Sequence, residues 1–342
     1  MPLEFGPASL SDQPAIIELF AEAYQARADA PAFAPRFLEW KHFDPGPEWT
    51  GSRSYVLRDG NQIVAHAAVW PVSLRTPGGV VRAINRIEWA ARKGWPGAGS
   101  TIALRFNDLA PVVFSTGGTK LTRLILPRIG YPKRGESPLY ARVLRPLRQF
   151  RMRPGRKDWR TTLRLARNAV WCTDDVSPAL GWTAHSASRP FHVETPFRDA
   201  VVSVRGFDTL AWLLRCPSMP VRLYELRHSS NARGLCLIAQ YCGQARILDL
   251  RIESEKPDDW AGAFACATMA AKEDTEACEV VACGSLPVIN RALERNGYRR
   301  RDDRPVWLSD PQQLLNPNAG MLLSFLDNDD GLLPIPESPF AT

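Results

Sequence analysis

Two stretches of this chain repeat each other in order, and that repetition limits the possible folds more than any other feature. FLEWKHFDP at 37–45, with Trp40 and Pro45, is matched by TLAWLLRCP at 209–217, with Trp212 and Pro217. Each is followed by a strand-like run, SYVLRDG at 54–60 and LYELRHS at 223–229. Further on, GGTKLTRLILPRIGYPKR at 117–134 parallels GSLPVINRALERNGYRRR at 284–301, so Gly117 corresponds to Gly284, Gly130 to Gly297 and Tyr131 to Tyr298. Short repeats build solenoids, whereas a unit longer than about 150 residues means two similar domains. A chain of 342 residues, 45% hydrophobic, has room for two cores and does not have a disordered composition.

Within the first unit the pattern alternates between helix and strand signals. Ser11–Tyr24 reads as an amphipathic helix, with Ser11 as cap, Pro14 in the first turn and Ile16, Ile17, Phe20 and Tyr24 on one face. Tyr55–Leu57, the turn Asp59-Gly60-Asn61 and Ile63–Trp70 read as a hairpin, which Val80–Ala91 extends after Pro77-Gly78-Gly79. Gly94–Gly99 follows, then a helix over Ser100–Leu109, a strand over Pro111–Ser115 and a helix over Thr119–Ile129 that Gly130 caps. The expected units are 1–135, a basic linker with helical pieces at 136–197, a degenerate second copy at 198–330 and a Pro-rich tail at 331–342.

This order of elements, with helices ending in Gly-Tyr at LPRIGY and LERNGY, resembles the GNAT acyltransferase family. The WKHFDP run at 40–45 resembles tandem members tied to polysaccharide or envelope biosynthesis. The resemblance implies an α+β fold of two mostly antiparallel sheets, each splayed at its middle, with acyl-CoA entering the split. The family's pyrophosphate loop, Arg/Gln-x-x-Gly-x-Gly/Ala, is best matched by Gly94-Trp95-Pro96-Gly97-Ala98-Gly99. Gly97 and Gly99 fit, but Gly94 stands where the family has Arg or Gln. Phosphate oxygens need backbone N–H groups at a helix N-terminus with nothing bulky in the way, and glycines permit that approach. Arg92 and Lys93 are the cations nearest this loop, and Ser100 opens the helix after it. The second copy has ESEKPDD in the same place, without glycine and with four acids, which would repel a pyrophosphate.

Acyl transfer to an amine requires a neutral nucleophile, donors for the oxyanion and a proton for the leaving thiolate. The resemblance places the oxyanion contact on the backbone of Glu88–Ala91, which includes Trp89. Glu88 is the candidate base, or else faces solvent or pairs with Arg86. Tyr131 is a candidate acid, although its twin Tyr298 favours packing; Ser115 and Thr116 are further polar candidates. His66, in an apolar strand, reads as a satisfied core residue, and Trp40 and Trp212 as core packing. The expected co-substrate is acetyl-CoA or another acyl-CoA, with no metal, and the acceptor an amine such as an amino sugar or envelope precursor. A FemAB-like transferase using aminoacyl-tRNA and an inactive GNAT pair acting as a scaffold are the competing readings.

The seven cysteines form no CxxC pair and the five histidines no HExxH, which argues against a zinc site and a disulfide framework. No secretory signal and no apolar run of membrane-spanning length is present, so a cytoplasmic location is expected. The net charge of +7 is concentrated: residues 142–167 hold ten Arg or Lys against Asp158. That segment is a solvated linker or, because Leu144, Leu147, Phe150 and Met152 interleave with arginines, a peripheral contact for an anionic membrane, the inner membrane. No stacking motif accompanies the charge, so nucleic acid is an unlikely partner.

Overall fold

The structure, a computed structural model, describes residues 2–44, 49–155, 158–173, 179–335 and 340–342. Pro45 of the Trp–Pro motif and Arg156 and Lys157 of the basic segment lie outside the described residues. The first half supplies β1 (Glu4–Pro7), α1 (Gln13–Tyr24), α2 (Pro35–His42), β2 (Ser54–Asp59), β3 (Gln62–Thr76), β4 (Gly79–Ala91), α3 (Ala98–Arg105), β5 (Val112–Thr116), α4 (Lys120–Ile125), β6 (Lys133–Glu136) and β7 (Leu139–Val143). Then come α5 (Pro146–Met152), α6 (Trp159–Trp171), β8 (Trp182–Ala187), β9 (Val201–Val204), α7 (Phe207–Leu213), β10 (Val221–His228), β11 (Arg233–Tyr241) and β12 (Gln244–Ile252). The chain closes with α8 (Pro257–Glu273), β13 (Glu279–Cys283), α9 (Pro287–Arg295), β14 (Arg299–Asp302), β15 (Pro305–Ser309) and β16 (Met321–Leu322).

These elements form two mixed, mostly antiparallel sheets. One runs β1-β2-β3-β4-β5-β15-β6, with β9 pairing both β3 and β16; the other runs β14-β7-β13-β12-β11-β10-β8. In each, one central pair is parallel: β4 with β5, and β12 with β13. The local signals work as the sequence reading expects at the Gly130 cap, where φ is +89° and the amide of Tyr131 bonds to Leu126 O. The start of α1 differs. Ser9, not Ser11, forms the cap with Asp12, because its amide reaches the Asp12 carboxylate at 2.8 Å and a short 3₁₀ turn precedes the helix.

The two sheets exchange strands. β7, just after the end of the first repeat, inserts between β13 and β14 of the second sheet. Reciprocally, β15 inserts between β5 and β6 of the first. The stretch 136–197 expected as a linker therefore contributes β7 and β8 to the second sheet, besides α5 and α6. The physical reason is that Tyr140, Ala141 and Val143 bury their side chains there, an apolar pattern that the dense arginines around it conceal. Arg142 is itself buried, donating to Asn296 O.

The largest apolar cluster lies between the two units, drawing Phe37, Trp40, Trp70 and Phe114 from one and Leu210, Trp212, Leu237 and Val281 from the other. Trp40 and Trp212, the repeated tryptophans, stack on each other with ring centroids 4.2 Å apart and planes 11° from parallel. Each is core, as expected, but of the junction between units. Offset stacking of this kind adds about 0.5–1.5 kcal/mol beyond area burial.

Candidate active site

In the first sheet β4 and β5 pair only from Ala83–Asn85 to Val112–Phe114. Beyond Asn85 and Phe114 they part. The gap opens into a cleft of about 410 Å³, walled by Asn85–Trp89 on one side and Ser115, Thr116, Gly118 and Thr119 on the other. Phe33, Leu333 and Ile335 give it an apolar flank, and Asn328–Asp330 cross it. The β3–β4 register slips between His66↔Ala90 and Ala68↔Ile87, so Glu88 and Trp89 together face Ala67. This is a β-bulge, and it places Glu88 at φ +50°, a region costly for a residue with a side chain. The bulge turns Glu88 towards the cleft.

Glu88 does not pair with Arg86, nor does it face bulk solvent. Its carboxylate accepts from Lys41 Nζ at 2.6 Å and from His42 Nε2 at 2.5 Å, and the Lys41 ammonium also binds Asp329. Burial alone would push the Glu88 carboxyl up, but Lys41 and His42 outweigh it and hold the group well below the usual carboxylate range. Burial likewise lowers Lys41, and Asp329 and Glu88 reverse that and raise it. A carboxylate so held stays ionised and is a weak base.

His66 is fully buried, with Nε2 2.9 Å from Ser54 Oγ and Nδ1 3.3 Å from Glu88 O. Burial, then the nearby His42, push its pKa down to about 3, so the ring is neutral and structural. Arg86, expected only as an alternative partner of Glu88, sits in the parting of the strands. Its guanidinium lies over Trp89 and Tyr131, 4.6 and 4.8 Å from their centroids, and reaches Ser115 Oγ at 3.3 Å. Tyr131 is buried, and its hydroxyl donates to Ala103 O or Asn107 Oδ1, on the α3 side and away from the cleft. Tyr298 is equally buried against Thr268 Oγ1 at 2.8 Å, so packing accounts for both tyrosines.

Thr116 is better placed for proton transfer. Its Oγ1 accepts from Asn85 Nδ2 at 3.3 Å and from Asn328 Nδ2 at 2.8 Å. Both amides are fixed in that orientation: Asn85 Nδ2 also donates to Asp327 O, and Asn328 Oδ1 accepts from the Asp330 amide. With both acceptor directions used, the Thr116 hydroxyl hydrogen is left to point elsewhere.

The glycine loop leads from β4 into α3. Gly97 is the N-cap at φ +85°, and a side chain there would meet open space. Trp89 joins loop to cleft, since its indole donates to Gly99 O at 2.7 Å while its ring lines the cleft. Ala91 packs beneath Gly99, and Ser100 is half-buried in the first turn, where amides have no helical partner. Arg92 is already engaged, donating to Ile63 O and pairing with Glu22 at 2.6 Å. Lys93 and Gly94 are exposed.

The second unit closes the corresponding split. β12 and β13 pair from Gln244–Ile247 to Glu279–Ala282, and the space beyond shrinks to about 20 Å³. Leu322 and Leu323 fill it, the latter tied by its amide to Ser285 Oγ at 2.7 Å. In place of a glycine loop, Ser254 Oγ bonds Asp259 and Trp260 Nε1 bonds Ser254 O. Among the described residues no cluster of His, Cys, Asp or Glu is arranged to hold a metal, and no helix is long and apolar enough to cross a membrane.

No family model and no curated protein matches the sequence. Solved structures do match the fold. A GCN5-related N-acetyltransferase from Anabaena variabilis superposes with a TM-score of 0.57 at 10% identity, covering 90% of this chain and 72% of that one. N-myristoyltransferase from Saccharomyces cerevisiae with bound myristoyl-CoA gives 0.56 at 12% identity, covering 91% and 84%. A tandem GNAT protein from the clavulanic acid biosynthesis pathway gives 0.52 at 12% identity, covering 90% and 98%. These likenesses show the fold: the chain has the fold of the GNAT structures, in tandem, with a parallel central strand pair in each of its two mostly antiparallel sheets.

Proposed function

We propose that the chain is an acyl-CoA-dependent N-acyltransferase that works from its first unit. One observation carries the reading: the cleft opens where β4 and β5 part, the Glu88–Trp89 bulge faces it, and Trp89 ties it to the glycine loop through Gly99 O. In this reading the pyrophosphate rests on the amides of Gly97–Ser100, with Lys93 supplying positive charge in place of the engaged Arg92. The pantetheine arm enters beside Trp89, and the thioester carbonyl lies at the bulge backbone, where the register of the ladder is broken. The amine nitrogen attacks that carbon, the C–S bond breaks, and CoA leaves as the thiol.

Glu88 serves here as the counter-charge for the developing ammonium, because a carboxylate held this far below its usual range draws a proton weakly. Thr116, whose hydroxyl hydrogen is not committed to its two amide partners, passes that proton to the leaving thiolate and recovers one from the ammonium of the collapsing intermediate, so that the amide and the free thiol form and the hydroxyl is restored. Acetyl-CoA is the first donor to test. The acceptor is an amine, with amino sugars and envelope precursors the first class. The second unit, its split filled by Leu322 and Leu323, stabilises the pair and supplies Asn328–Asp330 to the cleft wall.

Thermal denaturation with acetyl-CoA tests this. Ligand at 100 times its dissociation constant adds about 2.7 kcal/mol, and for a chain of this length that raises Tm by about 4 °C. Acetyl-CoA and myristoyl-CoA in parallel arms rank the acyl chain, and deacylated tRNA serves as the control for a FemAB-like enzyme. No shift with either thioester rejects the proposal. A second reading, acyl-CoA binding without turnover, draws on the saturation of Glu88 by Lys41 and His42; a thermal shift without thiol release across a panel of amines favours it.

A further inference from the structure

The most basic part of the chain is folded, and it presents an apolar stripe. α6 is anchored on one side only: Asn168, 2% exposed, donates to Gln149 Oε1 of α5 at 2.7 Å, and Gln149 Nε2 in turn reaches the buried Glu279 of β13 at 3.0 Å. On the other side Trp159, Leu163, Ala166 and Val170 recur at steps of four, three and four residues, which is a single face of a helix. Three of them are largely open to solvent: Trp159 at 67%, Leu163 at 60% and Val170 at 66%. Among the described residues nothing covers them.

Positive charge borders this stripe. Arg160 and Arg164 are exposed beside it, and Trp171 at its end lies under Arg167 at 4.2 Å and Arg301 at 5.2 Å. Arg301, Arg164 and Arg153 all press on the Arg167 charge. The carboxylate on the helix itself, Asp158, is used as its N-cap, accepting from the amide of Thr161 at 2.9 Å. On α5, Leu147 is 62% exposed and Arg151 lies open beside it.

We propose that this α5–α6 face docks on an anionic membrane surface, with α6 lying in the plane of the interface. Charge complementarity selects the occupant. An apolar face with arginines along its edge matches a bilayer of acidic lipid, where the side chains enter the acyl boundary while the guanidinium groups meet lipid phosphates. A second copy of the chain would bring a like-charged face against this one. Nucleic acid would engage the arginines but leave Trp159, Leu163 and Val170 in water. The 13-residue helix is long enough to hold the protein flat against the surface, and this inference is independent of the acyl-transfer reading.

Co-sedimentation of the full chain with vesicles provides the test, comparing phosphatidylcholine alone with phosphatidylcholine containing about one third phosphatidylglycerol. The expected result is at least about tenfold stronger partition to the anionic vesicles, falling as salt rises from about 0.05 to 0.5 M. Leu163→Glu and the pair Arg160→Gln/Arg164→Gln should each weaken it about tenfold, with circular dichroism and Tm unchanged because these side chains are exposed. The idea is overturned if the protein ignores anionic vesicles at low salt, or binds neutral ones equally. It is also overturned if Leu163→Glu instead dissolves a dimer, or if the arginine pair abolishes RNA or DNA binding while vesicle binding persists.

Discussion

Lys41→Met is the perturbation with the largest calculable effect. The Lys41 side chain is wholly buried, and its ammonium stands between the carboxylates of Glu88 and Asp329. Removing one partner of a buried ion pair costs about 3–5 kcal/mol, and here two anions lose their shared cation, so the upper end applies. With an unfolding entropy of about 2 cal/mol/K per residue, a loss of 5 kcal/mol lowers Tm by roughly 7 °C. The loss should depend on pH. In the native chain Glu88 is depressed, so its contribution is full above the ordinary carboxylate value of about 4.3 and fades as pH falls through its lower folded value. Without Lys41 one of the two carboxylates is raised instead and takes up a proton, so the gap between variant and native chain should shrink from pH 8 to pH 5. Urea denaturation at several pH values measures it, and adding Glu88→Gln should recover about 1–3 kcal/mol. A penalty below about 1 kcal/mol, or one flat with pH, refutes the buried network.

Gly97→Trp should abolish the acetyl-CoA thermal shift while the fold persists, because the position opens outward; Gly97→Ala costs only about 1–2 kcal/mol from its φ of +85°. An undiminished shift in the Trp variant would reject the loop assignment. His66, pushed to about 3 by burial and His42, takes up protons in the unfolded chain first, so it removes about 1.4 kcal/mol of stability per pH unit below about 6.5. His66→Asn should flatten stability against pH between about 6.5 and 5, as read by urea titration. Trp212→Ala should cost about 3–5 kcal/mol and weaken the junction between the units, measured by the same titration. Residues 1–135 expressed alone should fail to give a cooperative unfolding transition, because β15 is missing from between β5 and β6.

Much of the fold was legible because it rests on local chemistry. The Gly130 cap, the hairpin turn at Gly60 and the paired Trp and Gly-Tyr motifs are short-range signals, and duplication repeats the Trp and Gly-Tyr ones. Of the candidate site, the sequence singles out the glycine turn by its place between strand and helix and Glu88 on the strand before it. The partners of Glu88 are not singled out: Lys41 and His42 stand in the WKHFDP run, but nothing local indicates that α2 delivers them to a bulge more than 40 residues away. The position of Tyr131 after a cap makes it a candidate acid, and only its inward hydrogen bonds to Ala103 and Asn107 show what occupies the hydroxyl.

The sequence by itself determined that there are two copies and that the second has lost the glycine loop, since both follow from order and composition along the chain. Tertiary structure decided how the copies are joined. β7 and β15 cross between sheets, Trp40 stacks on Trp212, and the first cleft stays open while Leu322 and Leu323 fill the second. Strand exchange leaves no local mark, because β7 has the same backbone bonds to satisfy in either sheet. The choice rests on which sheet buries Tyr140, Ala141 and Val143, and that depends on residues brought together only when the whole chain has folded.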